Sequence, residues 1–532
     1  MIPGQEKKLS GTATMVMFAT LLSRITGFLR NVLIKSIMSP QGYSDEFILA
    51  FTLPDLIFEL LMGGAIAAAI IPVLASSLAK NKEKEGWKAM GTFMNCTIIA
   101  VIVVEIIFFI FTPAFLKLTA KGFTPDTPEH LLTLKLTRIL LPSALFMILS
   151  GLLNGVLNAY HKFTAVAFGP VVYNLCVVAS IFLFGGKKVE VAAWGVVISS
   201  MIYFCMQLAS AFKYMKHYRP RMYIKNDTFK ELLTLAIPSL AASAVVYVNQ
   251  IVGGSFSTEF AENSVTMMNN ANRTWQLPLG VFAQAMGVAI LPTLSTYFAQ
   301  DKTEEFKGVL YKGLRTVMLL CIPSTMILIL MNRQIMQILF KWSEMPVYES
   351  KMYGLALMAY APALLFQSIV VILNRAFYSI HNTRIPLMIG TSTIGLNILA
   401  NSFFAKNTNL GAVGTGLSYV ITDMVYLFIL ILVFSRKTGL NLIPENFLFL
   451  AKISLSTVAA GVVLWLSTSL IPFPWEESFT VGKKLMEIIS AGAQLILPLL
   501  AFLITAILLK VDEVRLFIGS LLARLQKKQQ SK

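Results

Sequence analysis

Charge is scarce in this 532-residue chain: Asp, Glu, Lys and Arg make up 13% of it against 56% apolar residues, and mean hydropathy is +0.71. A small soluble domain carries roughly 25–35% charge on its surface, so a soluble globular protein is excluded and lipid is the solvent for most of the chain. The apolar runs lack the polar/apolar alternation of a membrane barrel; they are continuous over about 20 residues, the length of a bilayer-crossing helix. Cysteine is rare as well. Cys96, Cys176, Cys205 and Cys321 lie apart in apolar segments without CxxC spacing, which excludes a disulfide framework or a zinc site and leaves them as small apolar side chains. The chain has no Walker A loop, nucleophile elbow or metal-ligand cluster. No enzyme, cofactor or metal is therefore expected, and movement of a substrate would draw on an ion gradient, the membrane potential or the substrate's own gradient. The first apolar stretch follows Lys7 and Lys8 without a small-residue cleavage site, so it is expected to stay as a span.

What is present is a series of about fourteen apolar helical segments. They include 10–37, 47–78, 230–256, 266–299, 447–470 and 487–510. The expectation is an all-α polytopic membrane protein. Net charge is +17, but the cations sit in loops, which points to membrane orientation rather than to nucleic acid. One loop set holds Lys80, Lys82, Lys84, Lys88, Lys213, Lys216, Arg219, Arg221, Lys225, Arg436 and Lys437; the other holds Asp45/Glu46, Glu259/Glu262 and Glu476/Glu477. The positive-inside rule puts the first set, with both termini, in the cytoplasm. The segment after Lys510 reads as a basic amphipathic helix on the membrane surface.

The chain also matches itself at a spacing of about 220 residues. Ala65–Leu74 aligns with Ala285–Leu294, and Pro142, Phe146, Leu153, Asn154 and His161 fall on Pro362, Phe366, Leu373, Asn374 and His381. Apolar matches between membrane helices are cheap; Pro, Asn and His at one offset are not. The spacing covers six spans, so the second copy enters the membrane in the same orientation, giving two parallel six-helix repeats around a central cavity. The expected division is 1–220, 221–440, two added helices over 441–510, and a cytoplasmic tail over 511–532.

Charges inside spans are the candidate functional groups. An arginine at the centre of a span costs at least about 2.5 kcal/mol, so it is expected to face a cavity or a partner. Arg24 and Arg30 lie about 9 Å apart along the first helix and roughly 120° apart around it; Arg273 opens the eighth. Guanidiniums from both halves would suit phosphate, whose oxygens they bind in pairs. Snorkelling to the interface or structural pairing is the alternative for each. Among the acids, Asp45 precedes the second helix and suits a helix cap or a gate. Asp55 and Glu59 share one face of that helix, four residues apart, and can neutralise an arginine or bind a cation. Asn374 and Arg375 are weaker cavity candidates. The Asn154/Asn374 and His161/His381 pairs are expected to link helix ends, and Gly63 and Gly64 to allow close helix contact.

These segments resemble the MurJ/MviN lipid II flippase family of the MOP transporter superfamily. The resemblance rests on SRITGFLRN, SDEF and FTLPDLIFELLMGGAIAAAIIPVL in the first two helices, ANRTWQLPLGVFAQAMGVAILPTLS in the eighth and LNRAFYSIHNTRIP in the tenth. It implies a bacterial inner-membrane protein that flips an undecaprenyl-pyrophosphate-linked muropeptide outward by alternating access, with a groove for the lipid tail formed with the last two helices. It also implies that Arg24, Arg30 and Arg273 line the cavity and that Asp45 is the family's outer-side acid. The expected partners are that lipid-linked substrate, the phospholipid bilayer and cell-wall synthesis proteins, with the chain a monomer. The second helix departs from the family pattern: where many members read Leu-Pro-Asn-Leu-hydrophobic-Arg-Arg and then Glu-Gly, this chain has Leu53-Pro54-Asp55-Leu56-Ile57-Phe58-Glu59 and then Gly63-Gly64, so an expected cavity arginine and glutamate are missing. The seventh helix has no acid in SLAASAVVYVNQIVGG, so the sodium site of some members is not carried over. The alternatives are a flippase for another lipid-linked oligosaccharide, a MATE-like multidrug antiporter, or a scaffold that transports nothing.

Overall fold

The computed structural model describes residues 3–62, 70–380, 382–440 and 442–514. Gly63, Gly64, Ala65 to Ala69, His381 and the tail from residue 515 lie outside the described residues, and so do the expectations attached to them. Among the described residues all regular structure is helical. The first half contains α1 (Pro3–Leu33), α2 (Ser44–Ala50), α3 (Thr52–Met62), α4 (Ile71–Ala79), α5 (Glu83–Thr119), α6 (Pro128–Ala159), α7 (Phe163–Phe184) and α8 (Val189–Ala211). The second contains α9 (Asp227–Ser257), α10 (Ser264–Pro278), α11 (Ala285–Ala299), α12 (Thr303–Leu330), α13 (Asn332–Phe340), α14 (Val347–Tyr360), α15 (Pro362–Ser379), α16 (Arg384–Asn407) and α17 (Val413–Thr438). The pair α18 (Leu442–Leu470) and α19 (Val481–Leu508) follows.

Eleven helical segments among the described residues are long and apolar enough to cross a membrane. The other three expected spans fall on α1, on the α2–α4 stretch and on α9. The all-helical outcome follows from the solvent: hydrocarbon offers no partner to a peptide group, so each span satisfies its own backbone. Prolines inside α5, α6, α7, α12 and α19 (Pro113, Pro142, Pro170, Pro323 and Pro498) each remove one ladder bond without ending the helix.

The sequence repeat is visible in the helix ends. α4 and α11 stop at Ala79 and Ala299, α5 and α12 start at Glu83 and Thr303, and α6 and α15 stop at Ala159 and Ser379. The turn before α5 and the turn before α12 even share a left-handed residue, Asn81 at φ 55° and Asp301 at φ 53°. The copies differ at the paired prolines. Pro142 lies inside the continuous α6, whereas Pro362 opens α15 after a break from α14. A π-helical segment, Leu279–Gln284, joins α10 to α11.

The chain packs as two compact units, Met1–Thr266 and Met267–Lys532. In the first, α6 packs on α3, α5 and α8, α7 packs on α1 and α8, and α9 packs on α3 and α5. Glycines set the closest approaches between α7 and α8. A Cβ on Gly195 would lie 1.8 Å from Ser180 Oγ, and one on Gly169 would lie 2.1 Å from the Tyr203 ring. Polar side chains stitch the same contact: Ser180 donates to the Ala192 carbonyl (3.1 Å) and Gln207 to that of Ala165 (2.8 Å).

In the second unit α12 packs on α15 and α18, and α18 on α19. Buried there is an ionic cluster that joins α13 and α14 to α19. Glu487, 1% exposed, pairs with Lys341 and with Lys484 (3.2 Å) and accepts from Gln337 (2.8 Å). Lys484 also donates to the carbonyls of Gln337 (2.7 Å) and Lys341 (2.9 Å), and Lys341 to that of Glu476 (2.9 Å). Ser350 of α14 donates to Gln337 Oε1 (3.0 Å). Removing one member of such a buried pair leaves its partner uncompensated, at a cost of about 3–5 kcal/mol. Glu487→Ala is therefore expected to lower the melting temperature of the detergent-solubilised protein markedly, and Lys341→Met/Glu487→Leu to lower it less than Glu487→Ala alone. Equal melting of wild type and Glu487→Ala would contradict the role assigned to the cluster.

Candidate functional site

α1 carries the first two candidate cations. The segment between them is pressed onto α7: a Cβ on Gly27 would meet Asn174 Nδ2 at 3.3 Å, and that amide donates to the Ser23 carbonyl (3.3 Å). Thr26 folds back to the carbonyls of Leu22 and Ser23. Arg24 and Arg30 thus flank a fixed contact. Arg24 is exposed and Arg30 half-buried. The Arg30 guanidinium lies 5.9 Å from the centre of the Phe51 ring, and the Tyr173 hydroxyl lies within the electrostatic reach of both Arg30 and Asp55. Asp55 is exposed, Glu59 is half-buried, and the Asp55 charge acts on Glu59 as well. The structure therefore gathers Arg30, Asp55, Glu59 and Tyr173 from α1, α3 and α7 into one charged cluster.

Asp45 is elsewhere, at the start of α2 ahead of the second span. Its carboxylate accepts from the backbone N–H of Val265 (3.1 Å) and of Thr266 (2.8 Å) and from the Thr266 hydroxyl. It thus caps the N-terminus of a helix that begins at Ser264, not its own helix. Asn263, at φ 65°, accepts from Ser39 (2.7 Å) and Ser44 (2.8 Å) beside it. Gly42, at φ 71°, holds a left-handed conformation that strains any other residue, and a Cβ there would lie 2.9 Å from Glu262 Oε1, so that carboxylate would have to move aside.

Burial pushes the Asp45 carboxyl above its ordinary range, against the opposing pull of its hydrogen bonds. Glu46 beside it is 4% exposed and has one oxygen unpartnered. Burial, with Asp45, Glu129 and Glu262 adding like charge, pushes it up to about 8.

In the second unit Arg273 is exposed, and its Nε donates to Asn269 one turn earlier on α10 (2.8 Å). Asn272 accepts from Trp275 (2.9 Å) and Gln276 (3.0 Å), so the polar opening of this helix is internally braced. Asn374 accepts from Tyr426 (3.4 Å), as Asn154 in the first half donates to Tyr203 (2.7 Å); both link neighbouring helices. Arg375 crosses the face of Gly287, where a Cβ would lie 3.3 Å from its Cγ, and reaches within 5.9 Å of the Tyr378 ring.

Several residues escaped the sequence reading. Asn174 is a lone amide in an apolar span, which is a usable signal; so is Asp423 in α17. Asp423 is buried, accepts from Gln367 (2.7 Å) and keeps its second oxygen unpartnered. Glu46, next to the chosen Asp45, carried no signal of its own.

Arginines held in apolar helices and a duplicated helical plan define a polytopic membrane transporter. Its fold is similar to that of a MurJ lipid II flippase in an inward closed conformation (TM-score 0.73, 21% identity, covering 94% of this chain and 100% of that one). It is also similar to an inward-facing multidrug resistance MATE family transporter of the MOP superfamily (TM-score 0.67, 16% identity, covering 78% and 94%). Residues 34–484 match the family profile "Lipid II flippase MurJ", and the chain belongs to that family. Similar relatives are the lipid II flippase MurJ of Burkholderia cenocepacia (27% identity over 86% of this chain and 89% of the relative) and the probable lipid II flippase MurJ of Buchnera aphidicola (25% over 85% and 88%).

The raised carboxyls at the start of α2 set a sign for pH dependence. Glu46 keeps its proton in the folded protein up to about 8 and loses it near 4.5 when unfolded. The folded state therefore binds more protons between those values, and stability falls as pH rises through that window. Asp45 acts in the same direction. Melting measured from pH 5 to 8 is expected to decline in wild type and to decline less in Glu46→Gln; parallel curves would refute the assignment to Glu46.

Proposed function

We propose that this chain flips lipid II, an undecaprenyl-pyrophosphate-linked muropeptide, from the inner to the outer leaflet of a bacterial cytoplasmic membrane by alternating access of its two repeated halves. The observation that carries the reading is the pair of α1 arginines flanking the fixed Gly27–Asn174 contact, within a chain of the lipid II flippase family. A pyrophosphate presents paired, charged oxygens, and a guanidinium binds two of them at once. Arg24 and Arg273, both exposed, are the substrate-binding cations. Arg30 works against Asp55 and Glu59, which hold its charge until phosphate competes for it. Asp45 is an outer-side latch, since its bonds to Val265 and Thr266 must break for those segments to separate.

The repeats run over 1–220 and 221–440, with 441–510 as the added helical pair and 511–532 as a basic surface tail. Both termini face the cytoplasm, and the chain acts as a monomer beside cell-wall synthesis proteins. No ATP or covalent step is required. A second reading, transport of a different lipid-linked oligosaccharide, is favoured by one feature: Phe58 and Glu59 stand where many members of the family carry paired arginines in the second helix.

Complementation tests this. In a bacterium depleted of its own flippase, the wild-type chain is expected to restore growth and lipid II exposure on the outer leaflet. Arg24→Ala and Arg273→Ala, expressed at wild-type level, are expected to reduce exposure at least about tenfold, the loss of one charge-assisted contact. Glu59→Gln is expected to have the smaller effect. Full activity of both arginine variants would overturn the phosphate-binding assignment; the reverse order of effects would favour a cation exporter. Failure of a well-inserted wild type would move the substrate to another lipid-linked glycan.

A further inference from the structure

A cavity of about 320 Å³ lies within the second unit, between the turn that joins α11 to α12 and the ends of α15 and α17. Its polar side carries Lys302, Thr303, Lys437 and Thr438; Phe298 and Ile380 belong to its apolar side. That volume is at the small end of ligand sites.

The first half of the chain explains why there is space. In the equivalent turn, Asn81 and Lys82 stand where Asp301 and Lys302 stand in the second. There the following residue is Glu83, and the end of α6 supplies Tyr160. The Tyr160 hydroxyl donates to Glu83 and accepts from Trp87 (2.9 Å), and its ring packs 4.8 Å from that of Tyr214. An aromatic ring and a carboxylate, tied together, stand beside the turn there, and its lysine pairs with Glu85 (3.9 Å). In the second half Ile380 replaces Tyr160, Thr303 replaces Glu83 and Lys307 replaces Trp87. The ring, the Glu83 carboxylate and the indole are gone, while the turn, its lysine and the acid equivalent to Glu85, Glu305, are kept.

What remains is suited to one kind of ligand. The lining holds two lysines and two threonines and includes Thr303, the first residue of the 28-residue α12, and such a set favours phosphate oxygens. Asp301 also lines the cavity, so its lining carries a net charge of one positive unit, which matches a monoanion better than a polyphosphate. The apolar side accepts hydrocarbon. We propose that this cavity is a binding site for a phosphodiester monoanion, either the headgroup of an acidic phospholipid or a soluble phosphodiester. On the proposed orientation it opens to the cytoplasmic leaflet. Occupancy of this site does not depend on lipid II being the transported substrate.

Native mass spectrometry of the full chain in detergent tests the site, with titration of phosphatidylglycerol in one arm and glycerophosphoglycerol in the other. Wild type is expected to hold one ligand more tightly than the rest. Lys302→Ala/Lys437→Ala is expected to lose that affinity about tenfold or more, whereas Lys82→Ala retains it. Ile380→Tyr, which returns the ring found in the first half, is expected to weaken binding without removing a charge. Loss confined to the phosphatidylglycerol arm identifies a lipid headgroup; loss in the glycerophosphoglycerol arm as well identifies a site that a soluble ester can fill. If the double lysine variant, melting as wild type does, binds both ligands undiminished, the proposal is wrong.

Discussion

The structure depends on a single constraint, that hydrocarbon solvates neither a peptide group nor a charge. The backbone answers with helices throughout. The side chains answer in two ways that differ in what they leave available. Lys341, Lys484 and Glu487 are buried together and bonded to one another and to nearby carbonyls, so they cross-link α13 and α19. Arg24 and Arg273 remain exposed. In an apolar setting an exposed cation is costly, and water in a cavity, an anionic ligand or a neighbouring side chain, such as Asn269 for Arg273, offsets the cost. The same physics thus separates charges buried to hold the helices together from charges left within reach of solvent.

Duplication gave the chain two copies of one plan, and the copies have since been put to different uses. The paired asparagines each reach a tyrosine on a neighbouring helix, Asn154 donating to Tyr203 and Asn374 accepting from Tyr426, though the two tyrosines are not equivalent positions of the repeat. Around Pro142 the first copy keeps one helix, whereas at Pro362 the second breaks it in two. Positions next to the paired asparagines have also diverged: Gly155 of the first copy is Arg375 in the second, and Arg375 is accommodated because Gly287 presents a bare backbone to it. Parallel repeats fix the frame, and single side chains within that frame distinguish the halves.

The features legible in the sequence were those set by composition and period. Span length, the all-helical class and the repeat need only local information, and Pro142 and Pro362 marked the offset that the helix ends reproduce. The arginines were legible because charge in an apolar run is conspicuous. Partners were not. Asp45 was assigned to a cap or a gate, and a cap is what it forms, but on a helix more than two hundred residues away, which no local pattern encodes. The pairing of Lys341 with Glu487 joins a loop lysine to a charge in the last span, and neither residue is unusual in its own segment. Asn174 fell between these cases: its polarity was visible, but its role required knowing that Gly27 faces it.

The departure in the second helix is best understood through the same electrostatics. The second helix places Asp55 within electrostatic reach of the Tyr173 hydroxyl, which also feels Arg30, and Glu59 within reach of Asp55. A cavity lined only by arginines binds phosphate tightly and releases it slowly. On the proposed function, acids near Arg30 lower the net positive charge of the site and weaken the bound state of an anion. For a transporter, affinity on the loading side must be matched by escape on the other. On the proposed function, an acid at Glu59 in place of arginine tunes release of the anion rather than abolishing its recognition.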